Sequence, residues 1–469
     1  MTGKVRNSNK FKEIVEEFYR IRKLKKPYIE VYDNFPIPRQ LQTDGRDDQI
    51  NISKKIDQLI EDIACEMQIN SPIKNQFSKK DFRTLVRETF GPALHSINLD
   101  DDIIASAKAV QTEVETRILD KLDIKSNHDR AEYTLGCRLF TYNDFFPFQI
   151  GPVRFEPRSL WLNRKASDGN ISNITKRRIV RIWDGFEVRK RKRSRDNYSE
   201  QEVLKTIGEC PYVCSVKIPM SGPEKGEKDA LLAARLALTS LALAWPTASS
   251  ALSGLNLHFD QNIYNRYILS FFSDGSIQYH GEKSSSRHAP FVSREDLETR
   301  FKEYAAIFKT TGEAIDWVVS PIESPLRPKF SNITAQALLW FHDGCREIFD
   351  LKAIVCFAAC LDILACGSYQ KGIHELIHAR LGWNKNTTVT RDDLTVKDIV
   401  EKIYSHGRNR FSHGPLDQKG EKVWDTELAE DWSDTRQIAE WLARRCLISC
   451  MDWMANHPNC DVPRKLRQL

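Results

Sequence analysis

The chain has 469 residues, 41% of them apolar and 29% charged, with a formal net charge of +6 at pH 7. That length calls for two or three domains of ordinary size, and the composition is that of an ordinary soluble protein. So small a charge excess excludes nucleic-acid binding by overall charge alone; any such footprint must sit in local clusters.

The N-terminus, Met1-Thr2-Gly3-Lys4-Val5-Arg6, lacks the apolar core of a signal peptide, so the expected location is cytoplasmic and the eleven cysteines are expected to be thiols. Residues 1–138 read as a helical region. Phe11, Ile14, Val15, Phe18 and Ile21 form one amphipathic face, and Ile56, Leu59, Ile60 and Ile63 another, with a loop rich in Pro and Asp around Asn34 to Asp48 between them. The cluster Arg20, Arg22, Lys23, Lys25 and Lys26 suits the negative end of the first helix.

From Phe140 the texture changes. Phe145, Phe146, Phe148, Val153, Phe155, Leu160 and Trp161 recur with Pro and Gly between them, as in short strands and turns. Tyr212 to Ile218 alternates at period two, and Tyr267 to Phe272 is a further strand ending in the turn Ser273-Asp274-Gly275-Ser276. Residues 139–328 are thus expected to be an α+β region, and a front portion this large suits sensing or substrate selection. Leu236 to Leu257 carries no charge and is long enough to span a bilayer, but Pro246, Gly254 and Asn256 favour a buried helix, a break and a short second element, with no membrane association. Two basic runs, Lys176 to Trp183 and Arg189-Lys190-Arg191-Lys192-Arg193-Ser194-Arg195, are interleaved with Trp183 and Phe186. Two readings stand side by side: a track for a nucleic-acid backbone with rings stacking on bases, or a solvated hairpin or loop with Trp183 in the core.

Residues 329–469 read as helical. Ala353 to Cys366 is apolar except for Asp362, so that helix is enclosed on most sides, and Cys356, Cys360, Cys366, Cys446 and Cys450 serve as small hydrophobes. Further helices are expected over Ile373–Leu381, Val396–Phe411 and from Ser433 or Asp434 to about Met454. The fold class is therefore mainly α with an α+β middle and a C-terminal antiparallel helical bundle.

The third of these helices ends in Tyr404-Ser405-His406-Gly407-Arg408-Asn409-Arg410-Phe411-Ser412-His413-Gly414-Pro415. Arginine grips phosphate through a planar fork of donors, and histidine titrates near neutrality and can move the proton of a ribose hydroxyl. At about 100° per residue Arg408 lies on the flank of the apolar stripe, and His413 falls on the far side if the helix stays regular. Either the helix loosens before Gly414, or two copies meet and share the site.

The spacing Arg-Asn-x-x-x-His followed by Gly-Pro resembles the signature of the HEPN superfamily, specifically the Apea-like HEPN proteins of bacteria, over about the last third of the chain. The resemblance implies a two-fold bundle dimer with both motifs in one cleft. In it Arg408 would neutralise the scissile phosphate, His413 would act as general acid or base, and Asn409 would orient them. Arg410 would be a second phosphate ligand, with His406 a weaker RNA-binding candidate beside Tyr404. Attack by the 2′-hydroxyl would leave a 2′,3′-cyclic phosphate and a 5′-hydroxyl, with no cofactor. The implied partners are RNA such as tRNA or rRNA, a second copy through the C-terminal bundle, and a phage-derived or nucleic-acid trigger. The implied role is a regulated toxin-like effector of antiphage defence.

Two rivals remain. The same bundle would serve as a non-catalytic RNA-binding or dimerisation module, or His374-Glu375-Leu376-Ile377-His378 would act as the H-E-x-x-H site of a zinc hydrolase. The following Ala379-Arg380-Leu381-Gly382-Trp383 lacks the third histidine of the long motif, and no metal is expected. Cys210 and Cys214, four apart on a strand with no second pair nearby, read as structural.

Overall fold

In the computed structural model the described residues are 8–469 apart from 25–28, 33–34, 38, 45–47, 72–73, 75, 128–130, 142–144, 220, 261–263, 285–289, 321–326, 390–392 and 410–431. The chain forms two compact units: Met1–Ala131 with Ile218–Asp229 and Ser320–Ile322, and Glu132–Lys217 with Ala230–Val319 and Glu323–Leu469.

In the first unit the two amphipathic spacings become helices α1 (Ser8–Arg22) and α2 (Lys54–Ile69), and two further helices, α3 (Lys79–His95) and α4 (Ile103–Asn127), follow. Phe11, Ile14, Val15 and Phe18 of α1 are buried with Val110, Val114 and Ile118 of α4, and Phe11 stacks on Phe90 of α3 with centroids 5.6 Å apart. Ser53 caps α2, and Ser78 with Asp81 forms a capping box on α3. The Asp81 carboxylate also accepts the backbone N–H groups of Glu224 and Lys225, 3.0 Å from each. Burial alone would raise the Asp81 carboxyl, but these bonds outweigh it and hold it below its ordinary value.

The stretch around Asn34 to Asp48 is not simply a loop. It holds β1 (Glu30–Tyr32) paired antiparallel with β2 (Phe35–Ile37), and β3 (Arg39–Gln42) paired with β4 (Gln49–Ile52). Leu41, Ile50 and Ile52 turn inward while Gln40, Gln42 and Gln49 face water, so each strand buries one face only. Alternation this short, rich in Gln and Asn, hides behind the loop-like Pro and Asp around it.

The second unit is built on a five-stranded antiparallel sheet in the order β6 (Phe148–Ile150), β7 (Val153–Pro157), β8 (Tyr212–Ile218), β5 (Ala131–Arg138), β9 (Asn256–Leu257). The period-two segment Tyr212–Ile218 is its central strand and is buried on both faces, with only Lys217 exposed. Between β7 and β8 come α5 (Arg158–Ser167), α6 (Asn173–Trp183) and α7 (Arg195–Ile207). Leu160 and Trp161, read from sequence as part of a strand and turn texture, therefore lie on a helix. Pro157 ends the strand, and Trp161 and Leu162 pack with Ile171, Ile179, Ile207 and Val213 in a core of their own. The uncharged run divides as its breakers suggest, into α8 (Pro223–Ala242), a turn, and α9 (Ala248–Gly254) leading into β9. Strands β10 (Tyr264–Phe271) and β11 (Ile277–Ser284) form a separate hairpin, turned where the Asp274 side chain accepts the Ser276 N–H at 2.8 Å.

Helices α10 (Arg294–Glu303) and α11 (Ala305–Val319) follow, then α12 (Pro328–Arg346), α13 (Asp350–Leu364), α14 (Tyr369–Leu381), α15 (Val396–Glu401) and α16 (Ser433–Asn456). The last helices pack on one another: α13 lies against α12, α14 and α16, and α11 against α12 and α16. Helix α11 also meets the sheet. A Cβ on Gly151, in the β6–β7 turn at φ +56°, would stand 2.7 Å from the Cα of Gly312, so position 151 must be glycine for the turn to rest on the helix, and a Cβ on Gly312 would meet Gly151 at a tight 3.1 Å. All eleven cysteines are free. Among the described residues no single helix is long and apolar enough to cross a membrane.

Arg164 on α5 ties together the two strands that flank the central one. It donates to Glu132 of β5 at 2.9 and 3.1 Å and to Glu156 of β7, whose side chain is 1% exposed. Burial pushes the Glu132 carboxyl up, but hydrogen bonds from Arg164 and Lys165 outweigh it and hold it down at about 2. Because that folded value lies below the ordinary 4.5, the stabilisation is present in full above that range and is lost as pH falls toward 2. Glu132→Gln is expected to be less stable than the wild type by on the order of 2 kcal/mol at neutral pH and to converge with it in acid. A pH series of denaturation midpoints checks this; a constant difference at every pH would contradict it. Arg164→Ala, which leaves Glu132 with Lys165 and the buried Glu156 with Arg154 as their remaining cations, should cost about 3 kcal/mol.

Candidate functional site

Thr395 starts the motif-bearing helix. Its hydroxyl accepts the Asp398 N–H at 3.3 Å, and the Asp398 carboxylate accepts the Thr395 N–H at 2.9 Å. Val396, Ile399, Val400, Ile403 and Tyr404 then form the buried stripe. The regular α-helix lasts only to Glu401. From Lys402 to Asn409 the backbone is a π-helix, with each N–H reaching five residues back, a geometry rare in proteins and frequent at functional sites. The sequence reading allowed that the helix loosens before Gly414, and it does so twelve residues ahead.

Close packing on α13 accompanies the change. A Cβ on Gly407 would lie 2.6 Å from Cγ2 of Ile354, so only glycine lets the wider helix approach this closely. One residue later Arg408, half-buried, spreads its guanidinium over the Tyr404 ring, 4.7 Å from the centroid, and donates through one terminal nitrogen to the Tyr404 hydroxyl. The other terminal nitrogen stands 3.9 Å from Oδ2 of Asp362 on α13. Among the described residues the buried Oδ1 of Asp362 has no hydrogen-bond partner. Burial, and then the charge of Asp362, raise the Tyr404 hydroxyl above its ordinary value, so it stays protonated and can accept from Arg408 while donating onward.

The α13–α14 connection borders this group. Cys366, Gly367, Ser368 and Tyr369 all have positive φ, and three of the four are not glycine, so the loop stores backbone strain on the order of 1–3 kcal/mol per non-glycine residue. It leaves the Tyr369 ring 74% exposed, and Gln370 just beyond donates to the Ser405 hydroxyl at 2.6 Å.

Of the residues singled out in the sequence, Arg408 is placed as described. Asn409 closes the π-helix and His406 lies within it, with only their backbones described; Arg410 and His413 fall outside the described residues. Arg189, Lys190, Arg191, Lys192 and Arg193 occupy the connection between α6 and α7, Arg191 half-buried and the other four exposed. Sequence reasoning missed Asp362, Tyr369 and the Gln370–Ser405 pair as neighbours of the motif. The lone acid in an apolar helix was the signal for the first, since it needs a cation nearby.

The histidines of the H-E-x-x-H match sit on α14. His378 is exposed, and Glu375 pairs with Arg467 at 3.3 Å and Lys371 at 4.0 Å. Burial, and then the charge of Lys385, lower the His374 imidazole below its ordinary value. Among the described residues no group of three His, Cys, Asp or Glu side chains is arranged to hold a metal ion. Cys210 and Cys214 are buried, and burial holds both thiols above their ordinary value, at about 11 for Cys210 with Arg138 and Arg158 beside it. No family model, curated protein or solved structure matches this chain.

Gly407→Ala is expected to lower stability by about 1–3 kcal/mol by pushing the π-helix off α13. Adding Ile354→Ala should recover part of that loss at position 407, read as a positive coupling in a double-mutant cycle of thermal melts. Strict additivity would mean that the two side chains do not meet.

Proposed function

We propose that this chain is a metal-independent endoribonuclease acting through Arg408, Asn409 and His413, with the bond broken by attack of the ribose 2′-hydroxyl on the adjacent phosphate. The observation that carries this reading is the setting of Arg408. Its guanidinium is fixed from one side by the Tyr404 ring and hydroxyl and from another by Asp362, yet its side chain remains 30% exposed. An arginine oriented at two points keeps its remaining donors aimed outward, as a phosphate ligand needs, and loses little freedom when the phosphate arrives. The Arg-Asn-x-x-x-His spacing and the helical bundle supply the resemblance to HEPN nucleases that gives the other residues their roles.

In this proposal Arg408 neutralises charge that builds on the phosphoryl oxygens, His413 takes the 2′-hydroxyl proton or gives one to the departing 5′-oxygen, and Asn409 orients them. Two copies meet through the C-terminal bundle so that both motifs face one cleft. Tyr369, exposed and beside Tyr404, would stack on a base next to the scissile bond. The large front region suits control of such an activity, with antiphage defence as the role the family resemblance suggests. The engagement of Arg408 by Asp362 and Tyr404 also favours a second reading, a module that holds RNA without cutting it.

The two readings part on turnover. Wild-type protein incubated with tRNA and rRNA in a chelator is expected to cleave, with Arg408→Ala and His413→Ala each lowering the rate at least 100-fold. RNA retention without cleavage by the wild type would favour the holding module, and activity abolished by the chelator would move attention to His374 and His378.

A further inference from the structure

Residues 173–195 carry ten Lys and Arg against two acids, Asp184 and Glu187, an excess of eight in a chain whose whole formal charge is +6. The fold sorts eight of these ten cations into two sets, leaving Lys176 and Arg195 at the starts of α6 and α7. Arg178 and Arg191 point inward. Arg178 donates to Glu200 of α7 at 2.7 and 3.0 Å and to the Arg189 carbonyl at 2.9 Å. Arg191 donates to Thr175 at 2.9 Å, Asp196 at 3.1 Å and Glu200 at 3.3 Å. Glu200 is 5% exposed, so these bonds pin the 184–194 connection against both helices rather than leaving it a loose basic tail.

The second set, Arg177, Arg181, Arg189, Lys190, Lys192 and Arg193, is exposed, and among the described residues none has an ion-pair partner. Arg177 and Arg181 are a like-charge pair one turn apart, an arrangement that costs helix stability unless an anion lies across it. Phe186, 59% exposed, lies with its ring 5.8 Å from the Arg181 guanidinium, and Tyr198 on α7 is 65% exposed. Large rings left in water between cations are what a single-stranded polynucleotide uses, stacking its bases while its phosphates meet the charges. A membrane surface suits the helix less well. On the outer face of α6 the exposed Ile174 lies on the same line as Arg177 and Arg181, so that face is mainly cationic rather than a broad apolar face bordered by cations.

We propose that the outer face of α6 and the 184–194 connection form a second binding site, for single-stranded nucleic acid, that is separate from Arg408 and captures the strand to be cut. The choice of RNA as that strand rests on the proposed nuclease activity; the site itself does not. Arg178, Arg191 and Glu200 are its scaffold, the six outer cations its phosphate ligands, and Phe186 and Tyr198 its stacking platforms.

The test is fluorescence anisotropy of the full-length protein with a labelled 2′-O-methyl oligouridine, which has no free 2′-hydroxyl and cannot be cut by the proposed chemistry. A variant with Arg177→Gln, Arg181→Gln, Lys190→Gln and Lys192→Gln is expected to bind at least tenfold more weakly. Its plot of log affinity against log salt should be shallower by about 0.7 for each phosphate that is no longer neutralised. Phe186→Ala alone, which leaves the charge intact, should weaken binding several-fold at unchanged salt slope, and circular dichroism confirms that the variants are folded. Binding by both variants equal to the wild type overturns the proposal. So does a wild type that ignores the oligonucleotide and binds phosphatidylserine vesicles. Arg408→Ala is expected to retain the oligonucleotide, so a failure to cleave RNA in any of these proteins bears on the nuclease reading alone.

Discussion

Helix α13 is enclosed by α12, α14, α16 and the 402–409 segment, and this enclosure fixes the character of everything around the motif. A helix buried on so many sides tolerates one carboxylate only where a cation can reach it. Asp362 is that carboxylate and Arg408 that cation, and the contact of Gly407 with Ile354 brings the two helices close enough for the pair to form. The π-helical winding, the glycine and the lone acid are thus one device. Each loses its reason without the others: a regular α-helix would carry Arg408 to a different angle, and a side chain at 407 would hold it away from Asp362.

The same arginine answers to two demands. The Tyr404 hydroxyl accepts from one of its donors and Asp362 faces another at 3.9 Å, which fixes its plane and, in the proposed function, limits what an incoming anion must order. Its remaining exposure leaves room for that anion. The strained loop from Cys366 to Tyr369 lies beside it and ends on an exposed aromatic ring, so strain, a fixed cation and a free ring gather at one end of the bundle. The basic face of α6 is organised in a comparable way, with two arginines spent on internal bonds so that six others are held outward.

Much of this was legible in the sequence, and the rest was hidden for identifiable reasons. Periodicity gave α1 and α2, the strand Tyr212–Ile218 and the helices from Ala353 onward, because each buries a face wide enough to leave a repeat, and the turn residues Ser273 to Ser276 gave the hairpin; α3 and α4 were covered only by the general helical reading of residues 1–138. The strands at Arg39–Gln42 and Gln49–Ile52 escaped notice because four residues of mixed Gln, Asn and Ile give too short an alternation. Leu160 and Trp161 misled because aromatic and proline content was weighed over the break at Pro157. At the site, Arg408 was found by its spacing, and Asp362 was recorded only as a sign of burial. Its meeting with Arg408 joins residues 46 positions apart, and no local pattern encodes that. The shift from α to π winding at Lys402 likewise has no composition of its own; it depends on what the neighbouring helix allows.

The measurement closest to the chemistry is of the bond that breaks. Wild-type protein in the presence of a chelator would be given an RNA oligonucleotide and its 2′-O-methyl counterpart, and the product ends identified. If the 2′-hydroxyl is the nucleophile, only the RNA is cut, and it ends in a 2′,3′-cyclic phosphate and a 5′-hydroxyl. Cutting of the 2′-O-methyl strand, or products ending in a 3′-hydroxyl and a 5′-phosphate, would mean that water attacks instead and would contradict the roles assigned to Arg408 and His413.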